Sequence, residues 1–243
     1  MAEDACDNCH LSNGEPHPLE GVRAFDLMDT IPALCFYCHM ETEPLTHGHD
    51  PVVEGDCLAC HKVHGSSEIS LLKESEVNLC ITCHGASDDP QRRSSNIRKY
   101  ITGNRIIHTA ISSGGCIVCH LPHGSNVRAM LAAHYPEGTY VSNAEQDFEL
   151  CLMCHDTDLI MAEDTEWGTN FRDGTRNLHW VHCQGSKGRN CRLCHNLHGS
   201  PLPFLIEERV TFGEWEMNMQ FERANHGGSC LPGCHGLLQY RRE

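Results

Sequence analysis

Cys116-Ile117-Val118-Cys119-His120-Leu121-Pro122-His123-Gly124-Ser125 is one of three copies of the same ten-residue pattern in this chain. The others are Cys57-Leu58-Ala59-Cys60-His61-Lys62-Val63-His64-Gly65-Ser66 and Cys191-Arg192-Leu193-Cys194-His195-Asn196-Leu197-His198-Gly199-Ser200. The first half, C-x-x-C-H, recurs four times without the trailing His-Gly-Ser. These plain motifs are Cys6 and Cys9 with His10, Cys35 and Cys38 with His39, Cys80 and Cys83 with His84, and Cys151 and Cys154 with His155. An eighth version, Cys230-Leu231-Pro232-Gly233-Cys234-His235, carries one extra residue between its cysteines. Sixteen of the seventeen cysteines belong to these motifs, and Cys183 stands alone.

Two thiols at this spacing reach the two vinyl groups on one porphyrin edge, and the imidazole that follows swings beneath the ring to the iron. Structural zinc takes paired C-x-x-C ligands in a tetrahedron but has no need of a histidine behind every pair. Cysteines this close seldom bridge outside thioredoxin-like redox motifs, and no such fold pattern is present. The expectation is eight covalent haem c groups, with His10, His39, His61, His84, His120, His155, His195 and His235 as one axial ligand each. The loop between Cys230 and Cys234 is the least regular of the eight.

With aromatic residues at 6% and a haem for about every 30 residues, side chains alone cannot build a large core. Porphyrins must fill much of it. The expected fold is mostly irregular with short α-helices and little β, a single haem-packed domain over 1–243 holding a quasi-linear array of haems. Apolar periodicity predicts helices within 69–79, 127–133 and 214–224. The methionines are expected to pack rather than ligate, and Cys183 to be a buried thiol.

The formal charge of -15, deepened by haem propionates, excludes a nucleic-acid partner. No apolar run approaches the length of a transmembrane helix. Covalent haem attachment implies export, and Met1-Ala2-Glu3-Asp4-Ala5 reads as a mature terminus after processing. An extracellular or cell-surface location is expected ahead of a periplasmic one.

Plain motifs alternate with trailing-histidine motifs, so the repeating unit is a pair. Units span 35–66, 80–125 and 151–200, with end motifs at 6–10 and 230–235. In this order of motifs the chain resembles the doubled C-x-x-C-H multihaem c-type cytochromes of bacterial and archaeal respiration. It looks like the conduits of outer-membrane porin-cytochrome complexes and the subunits of extracellular cytochrome filaments. The resemblance implies long-range electron transfer in extracellular respiration. The extra residue between Cys230 and Cys234 departs from the pattern.

Whether a haem carries electrons or transforms a substrate depends on its second axial position. A histidine three places after a motif histidine cannot reach the far face of its own haem, so His64, His123 and His198 should serve neighbouring haems and tie haems into close pairs. His49 and His108 lie eight residues before a trailing-histidine motif and His182 nine, and are expected as distal ligands, with His47 and His179 as alternatives to His49 and His182. His17 and His226 complete eight, and His134 is left over.

Ligation by two histidines makes each haem an electron carrier with no bond-making site of its own. The partners expected are other redox proteins, further copies of the chain, or an extracellular or periplasmic acceptor. A filament subunit is the first form considered, with an end haem able to take a histidine from the next subunit. A periplasmic or porin-embedded conduit is the alternative. A multihaem reductase with one open haem is the opposing class.

Overall fold

The computed structural model describes residues 3–12, 25–39, 45–85, 96–103 and 105–243. Among these, the longest helix is Glu76–His84, and strands are two to four residues long. Sheets contain two strands, apart from the three-stranded antiparallel sheet of Phe221–Ala224, Gly227–Cys230 and Leu238–Arg241. The fold is thus mostly irregular with short helices, as expected. No helix among the described residues is long and apolar enough to cross a membrane.

The protein-only core is small. Tyr135, Val141, Ala144, Phe148, Ile160 and Cys183 cluster with partly buried Leu131, Leu150, Leu152, Leu159, Cys151 and Cys191. Burial pushes the Cys183 thiol up to about 11, as expected of a packed, unreactive cysteine.

The three trailing-histidine motifs share one local structure. Each begins with a single 3-10 turn, Cys57–Ala59, Cys116–Val118 or Cys191–Leu193. The serine of His-Gly-Ser then folds the chain back: Ser66, Ser125 and Ser200 donate from Oγ to the carbonyls of Leu72, Leu131 and Ile206. The same oxygens accept from the backbone N–H of Glu68, Val127 and Leu202. Between those anchors lie two consecutive left-handed residues, Ser70 and Leu71, Ala129 and Met130, Phe204 and Leu205, with φ from 53° to 59°. Such residues cost about 1 kcal/mol each, which the serine anchors must offset. Because Ser200 is fully buried, Ser200→Ala should lower stability by about 1–3 kcal/mol in denaturant titration, and the more exposed Ser66→Ala by less.

These turns account for two departures from the expected helices. The 69–79 region forms one 3-10 turn, Ile69–Leu71, before the helix starts at Glu76, and 127–133 forms only Arg128–Met130. The third departure is complete. The 214–224 region is strand, Trp215–Asn218 and Phe221–Ala224, the first paired with Arg209–Phe212 in a hairpin. Trp215, Met217, Met219 and Phe221 alternate with polar residues, a two-residue period that belongs to strands.

Two-residue bridges connect successive units. His47–Gly48 pairs with Gly124–Ser125, and Ile106–Ile107 pairs with Gly199–Ser200. The His-Gly-Ser of one unit is thereby pinned to the segment leading into the previous unit's trailing-histidine motif. The corresponding lead of the last unit, Arg176–Asn177, closes instead on the local strand Arg172–Asp173.

Candidate haem-binding site

Among the described residues, seven pairs of imidazoles face one another, and each joins one motif histidine to one histidine outside the motifs. Ring centres lie 5.9 Å apart for His10 and His64, 6.0 Å for His84 and His49, 6.2 Å for His61 and His123, and 6.2 Å for His155 and His108. They lie 6.4 Å apart for His120 and His198, 6.4 Å for His195 and His179, and 6.5 Å for His235 and His182. A metal–imidazole bond of about 2 Å plus about 1.1 Å from nitrogen to ring centre, taken twice, requires about 6.2 Å. The pairs match two axial ligands on opposite sides of one metal ion.

The second ring nitrogen is positioned as such a ligand needs. In the three trailing-histidine motifs, Nδ1 of His61, His120 and His195 lies 2.9 Å from the carbonyl oxygens of Ser70, Ala129 and Phe204, the first of each left-handed pair. The turn therefore aims a carbonyl at Nδ1, and an Nδ1–H donated there leaves the Nε2 lone pair for a metal. His49 Nδ1 meets the Pro122 carbonyl at 2.8 Å, His182 Nδ1 that of Leu178 at 2.6 Å, and His235 Nδ1 that of Gly236 at 2.6 Å. His179 Nδ1 is 3.0 Å from Thr169 Oγ1. Burial, reinforced by the facing imidazoles, holds His179 down at about 3 and His198 at about 4, so both rings are neutral and able to ligate.

The bridges between units decide which histidines meet. His64, His123 and His198 face His10, His61 and His120, so each reaches the motif two places upstream rather than the plain motif of its own unit. This differs from the expected tie within a pair. For His123 and His198 the cause is the pinning of Gly124–Ser125 and Gly199–Ser200 onto the previous unit's lead. The lead histidines His49, His108 and His182 face forward, to His84, His155 and His235.

His179 and His182 are alternatives in the sequence, yet both rings are paired. Asn177 is fully buried and makes this possible. Its Oδ1 caps the helix Leu178–Cys183 by accepting from the N–H groups of His179 and Trp180, and its Nδ2 donates to the carbonyls of Asp158, Leu159 and Ala162. Phe171 stands between the rings, 5.2 Å from His179 edge-on and 5.7 Å from His182. The signal is present in the sequence as a three-residue spacing on one helix face, which aims both rings to the same side.

His226 has a different environment from the one expected. Its Nδ1 lies 2.6 Å from Glu243 Oε1, both side chains are exposed, and His182 occupies the position opposite His235. His134, unassigned from sequence, lies 3.8 Å from Asp147. His47 lies in the strand bridged to Gly124–Ser125. His17 falls outside the described residues.

No two cysteines are joined in a disulfide, and their neighbours follow the motif order. The first cysteines within each expected unit touch through their sulfurs: Cys35 with Cys57, Cys80 with Cys116, Cys151 with Cys191. The second cysteine of each trailing-histidine motif feels the next motif, Cys60 the pair Cys80 and Cys83, Cys119 the pair Cys151 and Cys154, and Cys194 the pair Cys230 and Cys234.

The eight motifs differ in how they present these thiols. The second cysteines of the plain motifs, Cys9, Cys38, Cys83 and Cys154, are exposed, as are Cys6 and Cys234 in the end motifs. Their counterparts Cys60, Cys119 and Cys194 are half-buried. The difference has a local cause. The chain returning from each serine-anchored turn covers its own motif, where Lys73, Ala132 and Glu207 donate backbone N–H groups to the carbonyls of Cys60, Cys119 and Cys194. Cys9, Cys38, Cys83 and Cys154 belong to motifs without the His-Gly-Ser that makes this turn.

Glu76 joins the contact between Cys80 and Cys116 and accepts from the N–H of Cys116 at 2.5 Å and of Ile117 at 3.0 Å. Both sulfurs there belong to complete C-x-x-C-H motifs, so this cluster is the junction of two attachment sites rather than a separate metal centre. Motif thiols and opposed imidazoles together fit covalent haem.

The family described as the doubled CXXCH motif matches residues 49–89 and 108–159. The multiheme cytochrome MtrA of Shewanella baltica (strain OS185) is 26% identical, over 64% of this chain and 43% of its own length. The chain therefore spans less than half the length of that relative. Motifs, ring geometry and similarity converge: the chain is similar to multihaem c-type cytochromes, and two of its segments match the doubled C-x-x-C-H family.

Proposed function

We propose that the chain carries eight haem c groups, each ligated by two histidines, and conducts electrons over a long range in respiration outside the cytoplasm. The observation that carries this reading is the set of seven histidine pairs at 5.9–6.5 Å, each combining a motif and a non-motif ring. Bound haem supplies a one-electron ferric–ferrous couple, and a row of such groups passes electrons along the chain. The polypeptide's part is to fix position and coordination. The motif cysteines would anchor the haem by one edge and the paired imidazoles would hold its iron, while the carbonyls at Nδ1 fix ring orientation. With both faces closed, a substrate has no iron to bind, which favours a carrier over a reductase.

The proposed ligands outside the motifs are His49, His64, His108, His123, His179, His182 and His198, with His17 as the remaining one for His39. His226 drops out of this set. The thiol neighbours support an order of sites that follows the sequence, so that electrons enter near one end motif and leave near the other. Export follows from the attachment chemistry, with other redox proteins or an external acceptor as partners.

Both end motifs, through His10 with His64 and His235 with His182, find their second histidine within the chain. Assembly into a filament by borrowing a ligand from the next subunit is therefore not favoured, and a conduit or carrier acting as a single chain is. A pyridine haemochrome assay on purified holoprotein should give eight haems per chain. The ferric spectrum should be low-spin and unchanged by cyanide, whereas a high-spin band responding to cyanide would return the reductase reading.

A further inference from the structure

The eighth motif is built differently from the other seven. In six motifs the N–H of the second cysteine bonds to the carbonyl of the first at 3.1–3.4 Å, and Cys80 and Cys83 lie inside the helix Glu76–His84, so one helical turn separates the sulfurs. Cys230 is instead the last residue of a central strand, flanked in register by Phe221 and Leu238. From there Leu231-Pro232-Gly233 must turn the chain so that Cys234 and His235 come back into place. Gly233 does so with φ +82°, a conformation that side chains disfavour. The extra residue is absorbed inside the loop, because His235 still faces His182 at 6.5 Å, close to the spacing in the regular motifs.

The hairpin Arg209–Phe212 with Trp215–Asn218, and the residue after it, hold that loop at both ends. Met217 lies over Gly233 so closely that a Cβ there would come within 2.8 Å of its Sδ and 3.1 Å of its Cγ. Met219, 2% exposed, puts both its Sδ and its carbonyl oxygen 3.7 Å from Cys230 Sγ. The N–H of Met219 bonds to the Glu208 carbonyl at 2.8 Å, which ties the clamp back to the base of the hairpin. Methionine suits this role because its unbranched, polarisable side chain follows an irregular surface.

We propose that Met217, Met219 and Gly233 form a fitted cradle that allows a cysteine pair with three intervening residues to accept haem, and that attachment at this site alone depends on it. The proposal rests on Cys230, Cys234 and His235 being a haem site. The reaction is addition of each S–H across one vinyl group: a sulfur–carbon bond forms, the vinyl double bond becomes single, and the thiol proton ends on the terminal carbon. No oxidant or leaving group is involved. The cradle's three residues are positioning residues, holding the two sulfurs at the separation of the two vinyls.

The test is the intact mass of purified holoprotein with peptide mapping of free thiols. Wild type and the control Gly138→Ala, whose added Cβ comes no nearer than 3.6 Å to its neighbours, should carry eight haems. Gly233→Val should yield mainly chains one haem lighter, with free thiols confined to Cys230 and Cys234. Met219→Ala adds no bulk and should give the same selective loss. Full occupancy in both variants, or free thiols scattered over other motifs, overturns the cradle. A wild type already one haem light, with Cys230 and Cys234 free, overturns instead the reading of this motif as a haem site.

Discussion

Replacing His123 by alanine is expected to open the haem held by His61, two motifs upstream, and to leave the haem of its own motif closed. His123 faces His61 at 6.2 Å, while His120 is met by His198 at 6.4 Å. One haem should turn high-spin and bind cyanide, and its potential should rise as an imidazole donor is lost. Identity is checked by epistasis. In a background where Cys57 and Cys60 are replaced by alanine, so that this haem is absent, His123→Ala should add no high-spin signal. A signal that persists there would mean that His123 serves another site. His198→Ala makes the parallel prediction for His120. Such remote effects follow from the unit-to-unit bridges, since each trailing-histidine segment supplies rings to its own site, the site two before and the site after.

Asn177→Ala should be the most damaging single change outside the ligands. It removes a helix cap and strands the half-buried carbonyls of Leu159 and Ala162, which now accept from Nδ2, whereas that of Asp158 still accepts from the N–H of Ala162. A lost cap is worth about 1 kcal/mol and each unsatisfied buried group about as much again, so a loss of about 3 kcal/mol is expected in chemical denaturation. The capped helix Leu178–Cys183 carries both His179 and His182, so high-spin character should appear at two sites together, those of His195 and His235. Asn177→Asp keeps the cap acceptor and loses the donors, and should fall between wild type and alanine. High-spin signal at only one site would show that the two rings are held independently.

The sequence by itself determined the candidate attachment motifs, because thiol spacing and an adjacent imidazole are a chemical requirement met locally within five or six residues. It also determined that the fold would be short-element and irregular, since so few large apolar side chains are available to pack. His49, His64, His108, His123, His182 and His198 could be singled out by their fixed offsets from the motifs. Their partners could not, because an offset along the chain is silent about which distant segment folds against it. Tertiary structure decided the pairings through the bridges His47–Gly48 to Gly124–Ser125 and Ile106–Ile107 to Gly199–Ser200. It likewise recruited His179 through a buried asparagine, set His226 against Glu243, and turned 214–224 into strands that clamp the eighth motif. The folded chain also left Cys9, Cys38, Cys83 and Cys154 exposed while returning turns covered Cys60, Cys119 and Cys194. The attachment motif is a property of neighbouring residues; the imidazole pairs, all but His179 with His195, join residues separated by one or two whole motifs, and only the folded chain brings those together.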